Sequence, residues 1–356
     1  MKSLKQASYT GKEVFIGIDV HKKSYSVVAR VDKEVIKKWT TVASPKELSQ
    51  QLQKYFSGAT IHSVYEAGFS GFALHRELVK YGIDNIVVHA AAIEVAANDR
   101  VKTDKRDAQK MAALLEAGRV RGNRIPTEQQ EQRRMLTRTR QQLVEERTAI
   151  KNKIRMKFHQ LGLIQYDENR PMSHKLVREI VDGTSSSELR IVIEAHWNIW
   201  RKLDEEICKL TQAIKEQAKT DPNEATYRSA PGVGPLSARI LANELGDMSQ
   251  FNNERQLFSF TGLTPAEYSS GDNIRRGHIS RQGNSRLRGI LVESAWRAIE
   301  KDTALGEFFE RLYPRTGKKR AIVAVARKLI GRIRAAFHNQ VNYQMEYRNS
   351  KALTTA

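Results

Sequence analysis

The chain has 356 residues, more than one ordinary domain needs, and its 40% apolar content excludes a disordered or collagen-like protein. The 60 Lys and Arg residues outnumber the 40 Asp and Glu residues and give a net charge of +20, which favours a polyanionic partner. The single cysteine, Cys208, excludes an intramolecular disulfide and a cysteine-rich zinc site. The N-terminus carries no apolar secretion signal and no apolar stretch is long enough for a membrane span, so we expect a cytoplasmic protein.

The excess positive charge is concentrated in two segments. Residues 100–160 hold 17 Lys and Arg against 7 Asp and Glu, and residues 270–340 hold 16 against 6, so each segment has a net charge of +10. Clustered cations bind phosphates and release counterions, so the two segments indicate two nucleic-acid-binding faces. A solvated helix face is the alternative for either segment.

The first hundred residues predict short strands and helices in a defined order. β-Branched runs separated by polar turns predict three antiparallel strands, at 14–20, 24–31 and 35–42. A Ser44 cap and an N1 proline begin the first predicted helix. The later elements are a helix at 45–56, a strand at 61–67, a helix at 71–81, a strand at 85–90 and a helix at 103–118. This order is typical of the α/β core of RNase H-like nucleases, in which the first and fourth strands are neighbours.

Two long helical segments follow, each with an apolar face. The face of the first, 128–161, consists of Leu136, Leu143, Ile150, Ile154, Phe158 and Leu161. The face of the second consists of Val192, Ile199, Leu203, Ile207, Leu210 and Ile214, with His196 at the remaining position. Steps of three, four and seven residues predict a coiled-coil pair, within the chain or between subunits.

The pattern as a whole predicts three domains and a tail. They are an α/β domain at 1–127, a coiled-coil linker domain at 128–221, a mainly α-helical C-terminal domain at 222–348, and a disordered tail at 349–356.

Four acidic residues are candidates for one metal site. Asp19 lies inside an apolar strand and Glu66 ends another, where a carboxylate is costly unless a cation meets it. Asp104 and Asp107 are three residues apart on a predicted helix and therefore share a face. If the four converge, their repulsion favours Mg²⁺ or Mn²⁺, and two such ions would activate a nucleophile at a phosphodiester. A surface or capping carboxylate is the alternative for any one of them.

The C-terminal part carries two further motifs. The sequence APGVGP at 230–235 predicts a glycine turn before a helix, as in helix-hairpin-helix elements that aim backbone N–H groups at a phosphate, so Gly232 and Gly234 are candidate nucleic-acid contacts. A plain interhelical turn is the alternative. Segment 261–291 combines Ser269-Ser270-Gly271 with Arg275, Arg276, Arg281, Arg286 and Arg288. Arginines hold phosphates, whereas the serines, on spacing alone, are typical turn residues.

Six motifs together resemble those of the DEDD transposases of the insertion-sequence-110 family, which are related to Piv-type DNA invertases. They are GIDVHKKS at 17–24, YEAG at 65–68, KTDKRDA at 102–108, SAPGVGPLSA at 229–238, GLTPAEYSSG at 262–271 and GHISRQGNSRLR at 277–288. They follow the order of the family over nearly the whole chain.

The resemblance implies a RuvC-like N-terminal domain whose four acids are Asp19, Glu66, Asp104 and Asp107, and a C-terminal transposase domain whose nucleophile is Ser270. It further implies that the serine attacks the DNA backbone to form a covalent phosphoserine, assisted by the acids and Mg²⁺ without a nucleotide cofactor. A noncoding bridge RNA would pair with donor and target DNA, and homodimers would assemble into a tetramer. The candidate nucleic-acid contacts outside the C-terminal motifs are Lys102, Lys105 and Arg106.

Three functions therefore fit the sequence. The leading hypothesis is a serine recombinase in which Arg276, Arg281, Arg286 and Arg288 grip the strand. The second is a RuvC-like nuclease that uses water as its nucleophile and in which Ser270 is structural. The third is a basic RNA- and DNA-binding scaffold without catalytic activity.

Overall fold

A computed structural model describes residues 8–89, 104–165, 170–268, 273, 275–280 and 282–345. The chain divides into two compact units, Met1–Ile125 and Pro126–Ala356. Four candidate site residues and the predicted tail lie outside the described residues: Lys102, Ser269, Ser270, Arg281 and 349–356. No helix in the described part of the chain is long and apolar enough to cross a membrane.

The first unit contains a five-stranded mixed sheet. Its strands are β1 (Glu13–Val20), β2 (Ser24–Val31), β3 (Glu34–Val42), β4 (Thr60–Glu66) and β5 (Asp84–Val88). The order across the sheet is β3-β2-β1-β4-β5. The first three strands pair antiparallel, whereas β4 pairs parallel with both β1 and β5. The three predicted antiparallel strands and the predicted pairing of the first and fourth strands are confirmed.

Three helices cover the two faces of this sheet: α1 (Pro45–Tyr55), α2 (Ala73–Lys80) and α3 (Asp104–Glu116). The Ser44 hydroxyl accepts from the Glu47 N–H and starts α1, as predicted. Because side chains alternate along a strand, β1 sends Val14, Ile16 and Ile18 to the face packed by α1 and α2. The opposite face of the sheet packs against Met111 and Leu115 of α3.

The second unit is mainly helical. Its helices are α4 (Glu128–Gln160), α5 (His174–Gly183), α6 (Ser187–Lys219), α7 (Glu224–Ser229), α8 (Pro235–Leu245), α9 (Glu254–Thr261), α10 (Ser285–Lys301), α11 (Thr303–Thr316) and α12 (Lys318–His338). The short strands β6 (Pro265–Glu267) and β7 (Arg276–Ile279) pair antiparallel between α9 and α10. The mixed α/β sheet followed by a helical C-terminal region agrees with the predicted fold class.

The long helices α4 and α6 pack against each other within the chain. The buried positions of α6 are Ile193, Trp197, Trp200, Ile207 and Ile214. Ile207 and Ile214 belong to the predicted face, but Val192 and Ile199 are 41% and 51% exposed, so the seam within the chain departs from that face in the first half of α6. The reason is that the two tryptophans, which the prediction left out, bury more apolar surface and rotate the seam by one residue.

The seam between α4 and α6 also contains cations. Arg147 donates to Asp204 over 2.8 Å, and Lys151 lies 4.8 Å above the ring of Trp200. Burial lowers the pKa of Lys151, and the neighbouring Arg147 lowers it further. Helices α4 and α6 are therefore held together by polar as well as apolar contacts.

Contacts to α8 place the long helices in the same compact unit as the C-terminal helices. Arg138 of α4 donates two 2.7 Å hydrogen bonds to the buried carboxylate of Glu244. Arg134 donates to the backbone carbonyls of Asn243 and Glu244. The segment expected as a separate linker domain at 128–221 thus shares one unit with the segment at 222–348.

Candidate active site

Asp19 and Glu66 lie side by side at the carboxyl ends of two adjacent strands. The parallel register of β1 and β4 pairs Ile18 with Tyr65, and Asp19 and Glu66 are the next residues of each strand. Residues paired in register project to the same face of a sheet. The side chain of Asp19 is 24% exposed, and Glu66 is exposed, so both carboxylates are accessible at this edge.

Helix α3 packs on the same face and brings its first turn to the same end of the sheet. Gly17 allows this approach, because a Cβ there would lie 1.9 Å from the carbonyl oxygen of Ala108. At the far end of α3, Glu116 accepts a 2.7 Å hydrogen bond from Arg30, which pairs with Phe15 near the start of β1. The helix therefore runs antiparallel to β1.

The direction of α3 decides where its two acids lie. Asp104 and Asp107 are in its first turn, at the end of β1 that carries Asp19. Asp107 is partly buried, and the side chain of Asp104 lies outside the described residues. Asp19, Glu66 and the first turn of α3 thus lie at one end and on one face of the sheet.

A histidine that the sequence analysis did not single out contacts this group. His21 Nε2 lies 3.2 Å from Asp19 Oδ2. Its signal in the sequence is the spacing Asp-X-His at a strand end, which places both side chains on the same side. An imidazole at this distance can orient the Asp19 carboxylate.

The donor set fits a hard divalent cation. Asp19, Glu66, Asp104 and Asp107 offer only carboxylate oxygens, the ligands that Mg²⁺ and Mn²⁺ prefer. Among the described residues, no three His, Cys, Asp or Glu side chains stand close enough together to hold a metal ion. Asp104, whose side chain is not described, would complete the set of four acids.

The close packing of Gly17 gives a first prediction. We expect Gly17→Ala to lower the free energy of unfolding by about 2–3 kcal/mol, because the new methyl group must push α3 away from β1. Urea unfolding followed by circular dichroism measures the change. Gly289→Ala is the matched control, because the site in α10 has open space around it, and there we expect no loss or a gain of up to about 1 kcal/mol. Unchanged stability of Gly17→Ala would contradict this packing.

The segment that carries the candidate nucleophile joins β6 to β7. Tyr268 N–H donates to the Arg275 carbonyl over 2.9 Å, so the chain returns on itself between these two residues. Ser269 and Ser270 belong to this connection but lie outside the described residues. The structure therefore fixes the two ends of the serine segment.

Two glycines and an asparagine hold the base of this hairpin. A Cβ on Gly262 would lie 2.0 Å from the Gln282 carbonyl oxygen, and one on Gly283 would lie 2.4 Å from the Phe260 carbonyl oxygen. Both glycines have positive φ.

The Asn284 side chain accepts hydrogen bonds from the N–H groups of Arg286 and Leu287 and so caps α10. Its amide also donates to Glu244 over 3.1 Å, which ties the motif to α8 and, through Arg138, to α4. Sequence analysis missed this role of Glu244 and Asn284.

The predicted cationic residues have different settings. Arg275 and Arg106 are exposed, whereas Arg286 and Arg288 are partly buried, and Arg288 reaches the Gln282 carbonyl at 3.4 Å. Arg276 is on β7 and Lys105 on α3, but their side chains are not described.

The glycine turn before α8 packs against α10. Gly232 has a φ of +76°, and a Cβ there would lie 2.2 Å from the Ser294 carbonyl oxygen. Its glycine identity is thus explained by helix packing, as in the plain interhelical turn that the sequence left open. Gly234 is the N-cap of α8 and has open space around it, and its contact with a phosphate stays a prediction.

Comparisons with known proteins agree with these motifs. A family model described as "Transposase", of the DEDD type, matches residues 16–162, and one described as "Transposase IS116/IS110/IS902 family" matches residues 225–310. A protein of Sinorhizobium fredii named "Putative transposase y4qE" is 30% identical over 303 residues, 80% of this chain and 72% of the relative.

Two further relatives are named for their elements. The transposase for insertion sequence element IS1111A of Coxiella burnetii is 31% identical over 68% of this chain and 68% of the relative. The transposase for insertion sequence element IS1533 of Leptospira borgpetersenii is 26% identical over 92% of this chain and 96% of the relative.

Proposed function

Because the chain belongs to the IS110-type family of insertion-sequence transposases, we propose that it cuts and rejoins DNA strands, using its four acids and Ser270. The observation that carries the proposal is the meeting of Asp19, Glu66 and the first turn of α3 at one end of the sheet. Where such carboxylates come together, a divalent cation would offset their repulsion, which favours a metal-dependent reaction.

Each acid has a role in this proposal. Asp19, Glu66, Asp104 and Asp107 would hold Mg²⁺ or Mn²⁺, which would neutralise charge on the phosphate and stabilise the leaving oxygen. His21, 3.2 Å from Asp19, is placed to orient that carboxylate. Arg286 and Arg288 at the start of α10, together with Arg275, Arg276 and Arg281, bind the strand through its phosphates.

Ser270 is the proposed nucleophile. Its Oγ attacks the phosphorus, the bond from phosphorus to the leaving deoxyribose oxygen breaks, and that oxygen takes up a proton as the serine hydroxyl loses one. The strand remains attached as a phosphoserine ester. Attack on this ester by the hydroxyl of another strand reverses the step, so rejoining needs no nucleotide cofactor.

Guidance and assembly complete the proposal. A noncoding bridge RNA would pair with donor and target DNA. The protein would then recognise the backbone and shape of the nucleic acids through its two basic segments, which include Lys102, Lys105 and Arg106.

Homodimers would assemble into a tetramer. The exposed Val192 and Ile199 on α6, seven residues apart, support helix packing between subunits.

A metal-dependent nuclease that uses water is the second candidate, since four acids and two metal ions suffice to activate water. The two functions differ in whether DNA becomes attached to the protein.

A strand-cleavage assay on a denaturing gel tests the proposed function. The wild-type protein is incubated with labelled DNA from the end of its element, with RNA transcribed from the flanking noncoding region, in Mg²⁺ or in EDTA. We expect cleavage only when both Mg²⁺ and the RNA are present. Cleavage in EDTA would contradict the role of the acids, and full cleavage without RNA would contradict guidance.

A further inference from the structure

The junction of α11 and α12 carries a dense group of cations. Residues 311–320 read RLYPRTGKKR and contain five Lys and Arg residues and no acid. The five cations are exposed: Arg311, Arg315, Lys318, Lys319 and Arg320. Gly317, with a φ of +79°, separates the helices, and α12 begins without a side-chain cap, so its first N–H groups add to the positive field. This surface fits the phosphates of a nucleic acid.

Aromatic rings stand next to these cations. Tyr313 is 50% exposed and stacks on Phe309 with ring centroids 5.8 Å apart and planes 15° apart. Phe309 in turn meets Trp296 of α10 edge-on at 5.7 Å, and Lys318 lies 5.1 Å above the Trp296 ring. One side of the exposed Tyr313 ring therefore faces Phe309, which itself packs on Trp296.

We call Trp296, Phe309, Tyr313 and the five cations the aromatic–basic face. It is separate from the arginine motif at the start of α10, because Ser285 and Trp296 are eleven residues apart on one helix, a separation of roughly 16 Å. None of its residues was assigned a role by the motifs above.

We propose that the aromatic–basic face binds single-stranded DNA, with one base stacked on Tyr313 and the flanking phosphates held by Arg315, Lys318, Lys319 and Arg320. An exposed ring beside cations favours an unpaired base, since only an unpaired base offers its face to a side chain. DNA is the partner because the chain is a transposase, and cutting DNA frees strand ends near the protein. The proposal requires neither Ser270 nor a guide RNA.

Fluorescence anisotropy with a labelled 12-nucleotide DNA strand, in EDTA so that no cleavage occurs, tests the proposal. We expect Tyr313→Ala to weaken binding roughly 5- to 150-fold, the loss of one base–aromatic stack, and Tyr313→Trp to restore it. Binding of a blunt duplex of the same sequence should stay unchanged in Tyr313→Ala. Equal losses for the single strand and the duplex, or no loss for either, would overturn the proposal.

Two lysine variants distinguish a local binding site on this face from general electrostatic attraction by the positively charged protein. Lys319→Gln should weaken single-strand binding and lower the slope of log affinity against log salt by about 0.7, the value for one phosphate contact. Lys215→Gln, an equally exposed lysine on α6, should leave that slope unchanged. Identical effects of the two variants would contradict a local site.

Two further experiments test where the strand binds and whether the face prefers DNA or RNA. A strand with 5-iodouracil should photo-crosslink to the peptide containing Tyr313, and crosslinking confined to other peptides would overturn the site. An RNA strand of the same sequence should bind no more tightly than DNA. A tenfold preference for RNA would overturn the assignment to DNA.

Discussion

Asp19→Asn should reduce strand cleavage roughly a thousandfold while DNA binding is kept. The substitution keeps the shape of the side chain but removes the charge that would hold the cation at the end of β1. Losing several kcal/mol of transition-state stabilisation corresponds to this factor. Single-turnover cleavage measured with saturating protein gives the rate, and a gel-shift titration gives binding.

The matched control for this variant is Asp32→Asn. Asp32 is in the turn between β2 and β3, is exposed and pairs with Lys12, so its neutral variant should cleave at the wild-type rate. The positive φ of 52° at this position is tolerated by asparagine as well as by aspartate. Wild-type cleavage by Asp19→Asn would contradict the assignment of the acids to the reaction.

Ser270→Ala should abolish both strand cleavage and attachment of DNA to the protein. Removing a nucleophile costs at least about a thousandfold in the chemical step, because no other group forms the covalent intermediate. The same single-turnover assay, read on a denaturing gel, follows the cut strand and the slower-migrating adduct together.

Ser269→Ala is the neighbouring control and should cut and attach DNA like the wild type. Loss of the adduct in Ser269→Ala alone would move the nucleophile by one residue. Undiminished cleavage in Ser270→Ala would instead establish the nuclease that uses water.

The strands and caps of the first unit could be predicted because their signals are local. β-Branched runs, the Ser44 cap and the position of Pro45 each depend on a few neighbouring residues. Helix α6 has two adjacent rows of apolar residues, and either row could form its buried face. The spacing of apolar residues alone does not show that the row with the tryptophans is buried in preference to the row with the valine. The buried face of α6 is set by the packing of Trp197 and Trp200 with residues of α4 and α5.

The candidate site shows the same limit. Asp19 and Glu66 were predictable because a carboxylate in an apolar strand is unusual, and the order of strands places them together. The close approach of α3 at Gly17 was not predictable, because it depends on two backbones separated by about ninety residues in sequence. The hydrogen bond from Asn284 to Glu244 is likewise a long-range contact, and no local sequence pattern indicates it.

The most direct test of the central claim is a search for DNA joined to the serine. The wild-type protein is incubated with DNA, RNA and Mg²⁺, denatured, digested with nuclease and protease, and analysed by mass spectrometry. We expect a nucleotide attached through a phosphate to Ser270 in Mg²⁺ and no such adduct in EDTA. Complete strand cleavage with an unmodified Ser270 peptide would contradict it.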